Sequence, residues 1–341
     1  MTASQLDFRS DNVWGASPEI LNALSQANDG SAAAYGGDDW TCRLERRLAE
    51  IFACDLSVFP VGTGSAANSL ALSVIAPPWG VIYCHKQAHV QVDECGGPEF
   101  FTGGAKLLPL EGRRGKLDSE ELERAIFGAG AVHHAQPAGL TVAQASECGR
   151  VYRPEELRVL SDVCKANKLT FHMDGARFAN ALVALDATPA ETTWKAGIDL
   201  LSFGGTKNGC IAGEALVVFN PRLAETLAFR RKRAGQLFSK MRFFSAQLLA
   251  YLERNLWCSN ARKANTAAAA LAQGLVQKGA RLAFPVEANE VFARLPPALA
   301  KELNERGFLF YDWPAAGPEG YRFVTSFQSD AAAIEAALGS C

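Results

Sequence analysis

Charge of one sign is missing from this sequence. Its 34 Lys and Arg stand against 36 Asp and Glu, a net charge of −2, so no basic surplus would draw it to nucleic acid or to an anionic membrane. Paired cysteines are missing as well. The nine Cys are an odd number, and none falls in a Cys-x-x-Cys pair, which argues against a disulfide framework or a zinc ribbon and for free thiols in a reducing cytoplasm. Long apolar runs are absent: residues 70–76, among the longest, are too short to cross a bilayer. Residues 1–12 are polar and have no apolar core of the signal-peptide kind. What remains is an ordinary globular composition, 48% hydrophobic and 21% charged over 341 residues. That length suggests about two domains and suffices to bury a core without staples.

Short apolar runs alternate with amphipathic stretches through the first two thirds of the chain. Residues 58–61, 81–84, 107–110, 139–142, 169–173, 200–203 and 216–219 read as buried strands, each bounded by turn residues. Helical periods fall between them at 65–75, at 119–127 and from Pro154 to about residue 167, where Pro154 stands at a first helical position and Glu155 and Glu156 in the first turn. This alternation predicts an α/β domain with a mainly parallel sheet, whose ligands bind beyond the carboxyl ends of the strands. Near residue 250 the pattern changes. An alanine-rich helix is expected over 251–279, then strands at 282–284, 291–295, 308–311 and 321–327, and a last helix at 330–338. The expected division is a large domain over residues 1–250 and a small α+β domain over 251–341, with residues 1–30 a candidate to pack on the small domain.

Three features could carry chemistry. Asp174 ends an apolar run and opens Asp-Gly-Ala-Arg177, so its carboxylate would point into the ligand crevice, unless it only caps a helix. Lys207, in Ser202-Phe-Gly-Gly-Thr-Lys-Asn-Gly209, follows the strand 200–203 between small residues that leave room for a bulky group. An imine-forming lysine needs such a confined place, though a solvated loop lysine is the commoner case. Gly62-Thr-Gly-Ser-Ala-Ala67 follows a strand and opens a helix, a setting in which backbone amides bind phosphate, though the same residues also make plain turns. A glycine turn, then a strand-end aspartate, then a lysine about thirty residues on is the order of the fold-type I enzymes of pyridoxal 5′-phosphate (PLP).

Several segments go further: Arg9-Ser-Asp-Asn12, Ala34-Tyr-Gly-Gly-Asp38, Gly62 to Asn68, Ala88-His-Val-Gln-Val-Asp-Glu94, Gln144-Ala-Ser-Glu147, His172-Met-Asp-Gly-Ala-Arg177, Gly204-Gly-Thr-Lys-Asn208, Gly213-Glu-Ala215 and Arg322-Phe-Val-Thr-Ser326. With them the chain resembles the low-specificity L-threonine aldolases, and among these the phenylserine-aldolase-like group, over most of its length. The resemblance implies a fold-type I PLP lyase that cleaves L-threonine, L-allo-threonine or a related β-hydroxy-α-amino acid to glycine and an aldehyde. It implies that Lys207 carries PLP as a Schiff base and that Asp174 pairs with the pyridine nitrogen. His89 would stack on the ring and is a candidate for proton transfer. Gly62, Thr63 and Gly64 would hold the phosphate, with Arg242 reaching it from a neighbouring subunit. Arg177 would lie beside the phenolic oxygen or the substrate, and Ser10 and Arg322 would bind the substrate carboxylate. Arg322 suits this physically, since a guanidinium meets a carboxylate with two parallel hydrogen bonds. The resemblance further implies a homo-oligomer, a dimer or a tetramer with shared active sites, in which Tyr35 is a second cross-subunit contributor.

One position departs from the family pattern. Where many threonine aldolases have a histidine near the β-hydroxyl, this chain has Glu147, which could bind that hydroxyl or pair with an arginine. Other chemistries remain open at this point. A PLP lyase that eliminates a β-substituent would share the same residues, and so would a PLP-binding protein without turnover. A metal-dependent hydrolase would use His85, His89 and Asp93, which share one face if a helix runs through all three. His133, His134 and His172 read as structural. The basic run Arg230-Arg-Lys-Arg233 reads as a solvated helix face or a subunit contact.

Overall fold

The computed structural model describes residues 6–185 and 187–339, and in it the seven apolar runs form one sheet. Residues 1–5 of the N-terminal segment and residues 340–341 of the expected small domain lie outside the described residues. The strands are β1 (Ser57–Val61), β2 (Gly80–His85), β3 (Lys106–Leu110), β4 (Gln136–Ala143), β5 (Thr170–Gly175), β6 (Leu200–Gly204) and β7 (Glu214–Val218). Their order across the sheet is β1-β7-β6-β5-β4-β2-β3, and β7 alone runs antiparallel, against both β1 and β6. Strands β2, β6 and β7 are buried at every position. This is the property of sheets covered by helices on both faces, and it explains why these strands read as unbroken apolar runs. One apolar cluster, which includes Phe52, Tyr83, Phe171 and Phe203, packs on one face, and a second, including Leu70, Ile82, Leu200 and Leu216, on the other.

The second sheet is antiparallel, in the order β10-β11-β9-β8, from β8 (Arg281–Leu282), β9 (Glu290–Arg294), β10 (Tyr311–Asp312) and β11 (Gly320–Val324). The helices Leu256–Gln277 and Ala331–Gly339 pack against each other beside it. Leu6 and Phe8 share this apolar cluster with Leu271, Val291, Phe308 and Phe323, and the Phe8 N–H donates to the Leu309 carbonyl at 2.8 Å. The head of the described chain is thus built into the smaller sheet's core.

The observed elements depart from the sequence expectation where apolarity alone marked them. β8 and β10 are two residues each and exposed, so the runs at 282–284 and 308–311 do not become full strands. The helix expected over 251–279 is two pieces, broken at Arg254 and Asn255, whose φ values are 49° and 59°. β7 begins at Glu214 rather than at 216, because a charged residue gave no strand signal.

Candidate active site

Five loops at the carboxyl ends of the parallel strands meet over one cavity of about 460 Å³. That size lies within the range of about 300–1,000 Å³ common for small-molecule sites. The sheet order explains the convergence. β1, β7, β6 and β5 are neighbours, so the turn after β1, the loop after β6 and the end of β5 come together although they lie far apart in sequence. Gly62, Thr63 and Gly64 follow β1, His89 follows β2, Glu147 follows β4, Asp174 is the penultimate residue of β5 and Lys207 follows β6, and all of these line the cavity. A larger hollow of about 880 Å³ opens at the opposite end of the sheet, near Thr170, Asp199 and Phe219, away from these groups.

The turn after β1 is a helix start. Thr63 Oγ1 accepts from the Ala66 N–H at 3.1 Å and caps the helix Gly64–Ile75, whose first residues, Gly64 and Ser65, line the cavity. The Gly62 N–H donates to Gln236 Oε1 at 3.0 Å, and a methyl group added at Gly62 would come within 3.3 Å of the Phe238 ring, so no larger residue fits there without displacing that ring. This cradle suits an anion, since aligned amides and the helix dipole favour negative charge.

A polar chain runs from Asp174 across the wall. Asn68 Nδ2 donates to Asp174 Oδ2 at 2.8 Å and to Glu94 Oε1 at 2.9 Å, and that same Glu94 oxygen lies 2.8 Å from His89 Nδ1. The Ala176 N–H donates to Asp174 Oδ1 at 3.0 Å. The bond to Glu94 raises the pKa of His89 above its ordinary value, with Glu147, Asp174 and the Glu94 charge acting in the same direction and burial against it. Burial raises Glu94, while the bonds from His89 and Asn68 hold it down. The pair therefore shares a proton within the connection that follows β2, with His89 on the cavity wall. Asn68 and Glu94 escaped the site reading, although Asn68 was visible as a polar residue in an otherwise small and apolar helix.

Arg177 is buried and is not among the residues that line the cavity. Its Nε donates to Asp11 Oδ2 at 2.8 Å and its Nη2 to Asp11 Oδ1 at 3.2 Å, while Nη1 lies 3.3 Å from Glu290 Oε1. All three residues are buried. Burial disfavours the Asp11 charge, but Arg177, Lys207 and a bond from Asn289 outweigh it and lower its pKa. Burial pushes Glu290 up to about 7, against the pull of Arg177. Asp11 and Glu290 carried no sequence signal, because each gains its meaning only from a partner at least 100 positions away.

The remaining expected residues do not line this chain's cavity. Ser10 Oγ accepts from the Asn12 N–H at 3.1 Å, next to Asp11 and so beside Arg177. The Arg322 guanidinium lies 4.8 Å from the Trp313 ring, its Nη2 donates to the Arg9 carbonyl at 3.3 Å, and its buried Nε has no partner. Tyr35 is exposed, with Lys232 Nζ 4.8 Å from its ring, and Arg242 Nη1 donates to the Gly30 carbonyl at 3.2 Å. His172 lies inside the sheet, with Nδ1 2.9 Å from Thr141 Oγ1 and Nε2 3.0 Å from Ser202 Oγ.

The ligand set of the rival metal reading does not assemble. His85 ends β2, His89 starts the four-residue helix His89–Val92, and Asp93 follows that helix, so no single helix carries them. The reason is that β2 extends one residue further than its apolar run. Among the described residues no group of three His, Cys, Asp or Glu could hold a metal ion. The cavity fits PLP better. It combines a lysine, a carboxylate fixed by two hydrogen bonds and a helix start with open amides, which match an aldehyde, a ring nitrogen and a phosphate.

Comparison with known proteins gives the same direction. The model of the β-eliminating lyase family matches residues 7–296. The low specificity L-threonine aldolases of Pseudomonas sp. (strain NCIMB 10558) and of Pseudomonas aeruginosa are each 44% identical to this chain. The first alignment covers 98% of this chain and 96% of the relative, the second 97% and 95%. The solved structure of Leishmania major threonine aldolase superposes with a TM-score of 0.90 at 27% identity, covering 98% of this chain and 97% of that one.

Proposed function

The chain belongs to the β-eliminating lyase family, and on that premise we propose that it is a PLP-dependent aldolase cleaving L-threonine, L-allo-threonine or a related β-hydroxy-α-amino acid such as phenylserine to glycine and an aldehyde. The observation that carries this reading is the meeting of Lys207, Asp174, His89 and the Gly62–Gly64 turn on one cavity in a chain so similar to low-specificity L-threonine aldolases. PLP supplies, when bound, an electron sink for the pair left at Cα when the Cα–Cβ bond breaks.

The chain's own residues do the rest. Lys207 holds the cofactor's aldehyde carbon, and Asp174, kept in place by Asn68 and the Ala176 amide, keeps a proton on the ring nitrogen. Gly62, Thr63 and Gly64 hold the phosphate, with Arg242 from a neighbouring subunit. Ser10 and Arg322 bind the substrate carboxylate, with Arg177 beside Ser10 through its pair with Asp11. Arg322 Nε is a buried donor still without an acceptor, as a carboxylate-binding group would be. Orientation decides which bond at Cα breaks, so these anchors select the reaction. Glu147 and His89, both on the cavity wall, are the candidates to take the β-hydroxyl proton.

The same reading makes the protein a cytoplasmic homo-oligomer, a dimer or a tetramer, with Tyr35 and Arg242 serving a neighbour's site. Both lie outside this chain's own cavity, and no helix among the described residues is long and apolar enough to cross a membrane. Sedimentation of the purified protein as a monomer would remove the shared-site part.

The deciding experiment loads the purified chain with PLP, reduces it with borohydride and maps the label, then assays aldehyde release. Label on Lys207 with acetaldehyde from threonine or benzaldehyde from phenylserine is the expected result, and Lys207→Ala should abolish both. No aldehyde from any of these substrates refutes the aldolase. The family description also admits β-elimination, and a 2-oxo acid with ammonia from a β-substituted amino acid, in place of aldehyde, would replace the aldol reading.

A further inference from the structure

Glu214 has no part in the reaction described above, yet it stands inside the site. It opens β7 in the segment Gly213-Glu-Ala215 and is buried. The register of the sheet sets it opposite Val61 on one side and Gly204 on the other. Val61 leads directly into the Gly62–Gly64 turn, and Gly204 into the loop with Thr206 and Lys207. The carboxyl therefore sits between the two segments assigned to the cofactor's phosphate and aldehyde ends, and it lines the cavity with Gly64, Ser65, Thr206 and Lys207.

Its two oxygens are used differently. Oε1 accepts from the Thr206 N–H at 3.2 Å. The Thr206 side chain also bonds to the carboxyl, and Oε2 is turned toward the phosphate turn, where a methyl group on Gly64 would lie 3.8 Å from it. An ionised carboxylate in this place would repel a phosphate dianion through a poorly solvated gap. A neutral carboxyl would instead offer an O–H from Oε2 while Oε1 keeps its bond to Thr206.

We propose that Glu214 is a neutral hydrogen-bond donor to the phosphate of the bound cofactor, a positioning residue that joins the phosphate turn to the lysine loop. The proposal rests on the PLP reading above. Burial supports it by pushing the Glu214 carboxyl up to about 7, opposed by Thr206 and Lys207 and aided by Asp174. Cys210 and Tyr251, on its other side, are pushed far above neutrality by burial and add no charge there. The bond to the phosphate is present while Glu214 keeps its proton and is lost as pH rises through its folded-state pKa.

The test measures binding to the full chain freed of cofactor, by equilibrium dialysis from about pH 6 to about pH 9. The probe is pyridoxamine 5′-phosphate, which has no aldehyde and so leaves Lys207 out of the measurement. Unphosphorylated pyridoxamine is the control. The wild type should lose affinity by about tenfold or more across this range, the scale of one lost hydrogen bond to a charged group. Glu214→Gln, which keeps the shape and offers an amide N–H, should bind with a flatter profile. Glu214→Ala should bind about tenfold more weakly at the acid end, with the phosphorus NMR signal of the bound ligand shifted. Parallel profiles for wild type and Glu214→Gln, or the same slope with pyridoxamine, would overturn the assignment. Glu214→Gln keeps the experiment decisive if the alanine variant does not fold. If neither compound binds and borohydride fixes no PLP on Lys207, the cofactor reading itself falls, and this inference with it.

Discussion

At the residue scale the site depends on shared partners. One Asn68 amide serves both Asp174 and Glu94, and Glu94 in turn holds His89. The sequence exposes Asp174 and Lys207 because each is a polar residue at the end of an apolar run. It does not expose Glu94, whose carboxyl lies 2.8 Å from His89 Nδ1 and favours the protonated ring. Glu94→Gln should therefore let the His89 ring titrate closer to its ordinary value of about 6.5, as followed by NMR of the imidazole. An unchanged titration would mean that Glu94 does not hold that proton. Because the folded-state value is the higher one, the stabilisation from this pair is full below about pH 6.5 and fades as pH rises through the folded value. His172 behaves in the opposite way. Burial pushes it down to about 4, with Asp174 acting against the shift. Its contribution is present above about pH 6.5 and is lost as pH falls toward 4, so urea unfolding should show about 2 kcal/mol less stability at about pH 5 than at about pH 7. A His172→Gln variant should lack that part of the slope.

At the element scale the large sheet was legible because its strands are buried on both faces and so appear as apolar runs between helical periods. Strand bounds were less so, because β5 and β7 include the charged residues Asp174 and Glu214, where a hydrophobic pattern stops short. The small sheet was less legible, since a two-residue strand such as Arg281–Leu282 is defined by its hydrogen bonds to β9 and not by its own residues. The break before the helix Leu256–Gln277 depends on Arg254 and Asn255 in left-handed geometry. Asparagine adopts that geometry at lower cost than alanine does. Asn255→Ala should cost about 1 kcal/mol in a urea titration, while Asn255→Gly stays near neutral. Equal losses for both would show that the asparagine side chain, and not its backbone, matters there.

At the scale of the whole molecule one buried ion cluster joins three distant parts. Asp11 comes from the N-terminal segment, Arg177 follows β5 of the large sheet, and Glu290 opens β9 of the small one. Removing one member of such a cluster leaves buried charge uncompensated, which is costly at about 3–5 kcal/mol. Asp11→Asn should lower the stability by that order in urea unfolding, and it should loosen the N-terminal segment in hydrogen exchange before the large sheet opens. A loss of less than about 1 kcal/mol would show that Glu290 alone neutralises Arg177.

The alternation of elements and the mainly parallel sheet follow from the sequence alone, because apolar period and turn residues are local properties of the chain, and these mark Lys207, Asp174 and the Gly62–Gly64 turn as candidates to which the family resemblance gives roles. Which polar groups meet was decided by tertiary structure. The sheet order β1-β7-β6-β5 sets Glu214 between the two loops of the site, and packing of the small sheet sets Glu290 against Arg177. The strength and protonation of such contacts come from burial and from partners far along the chain, and neither is written in any single segment.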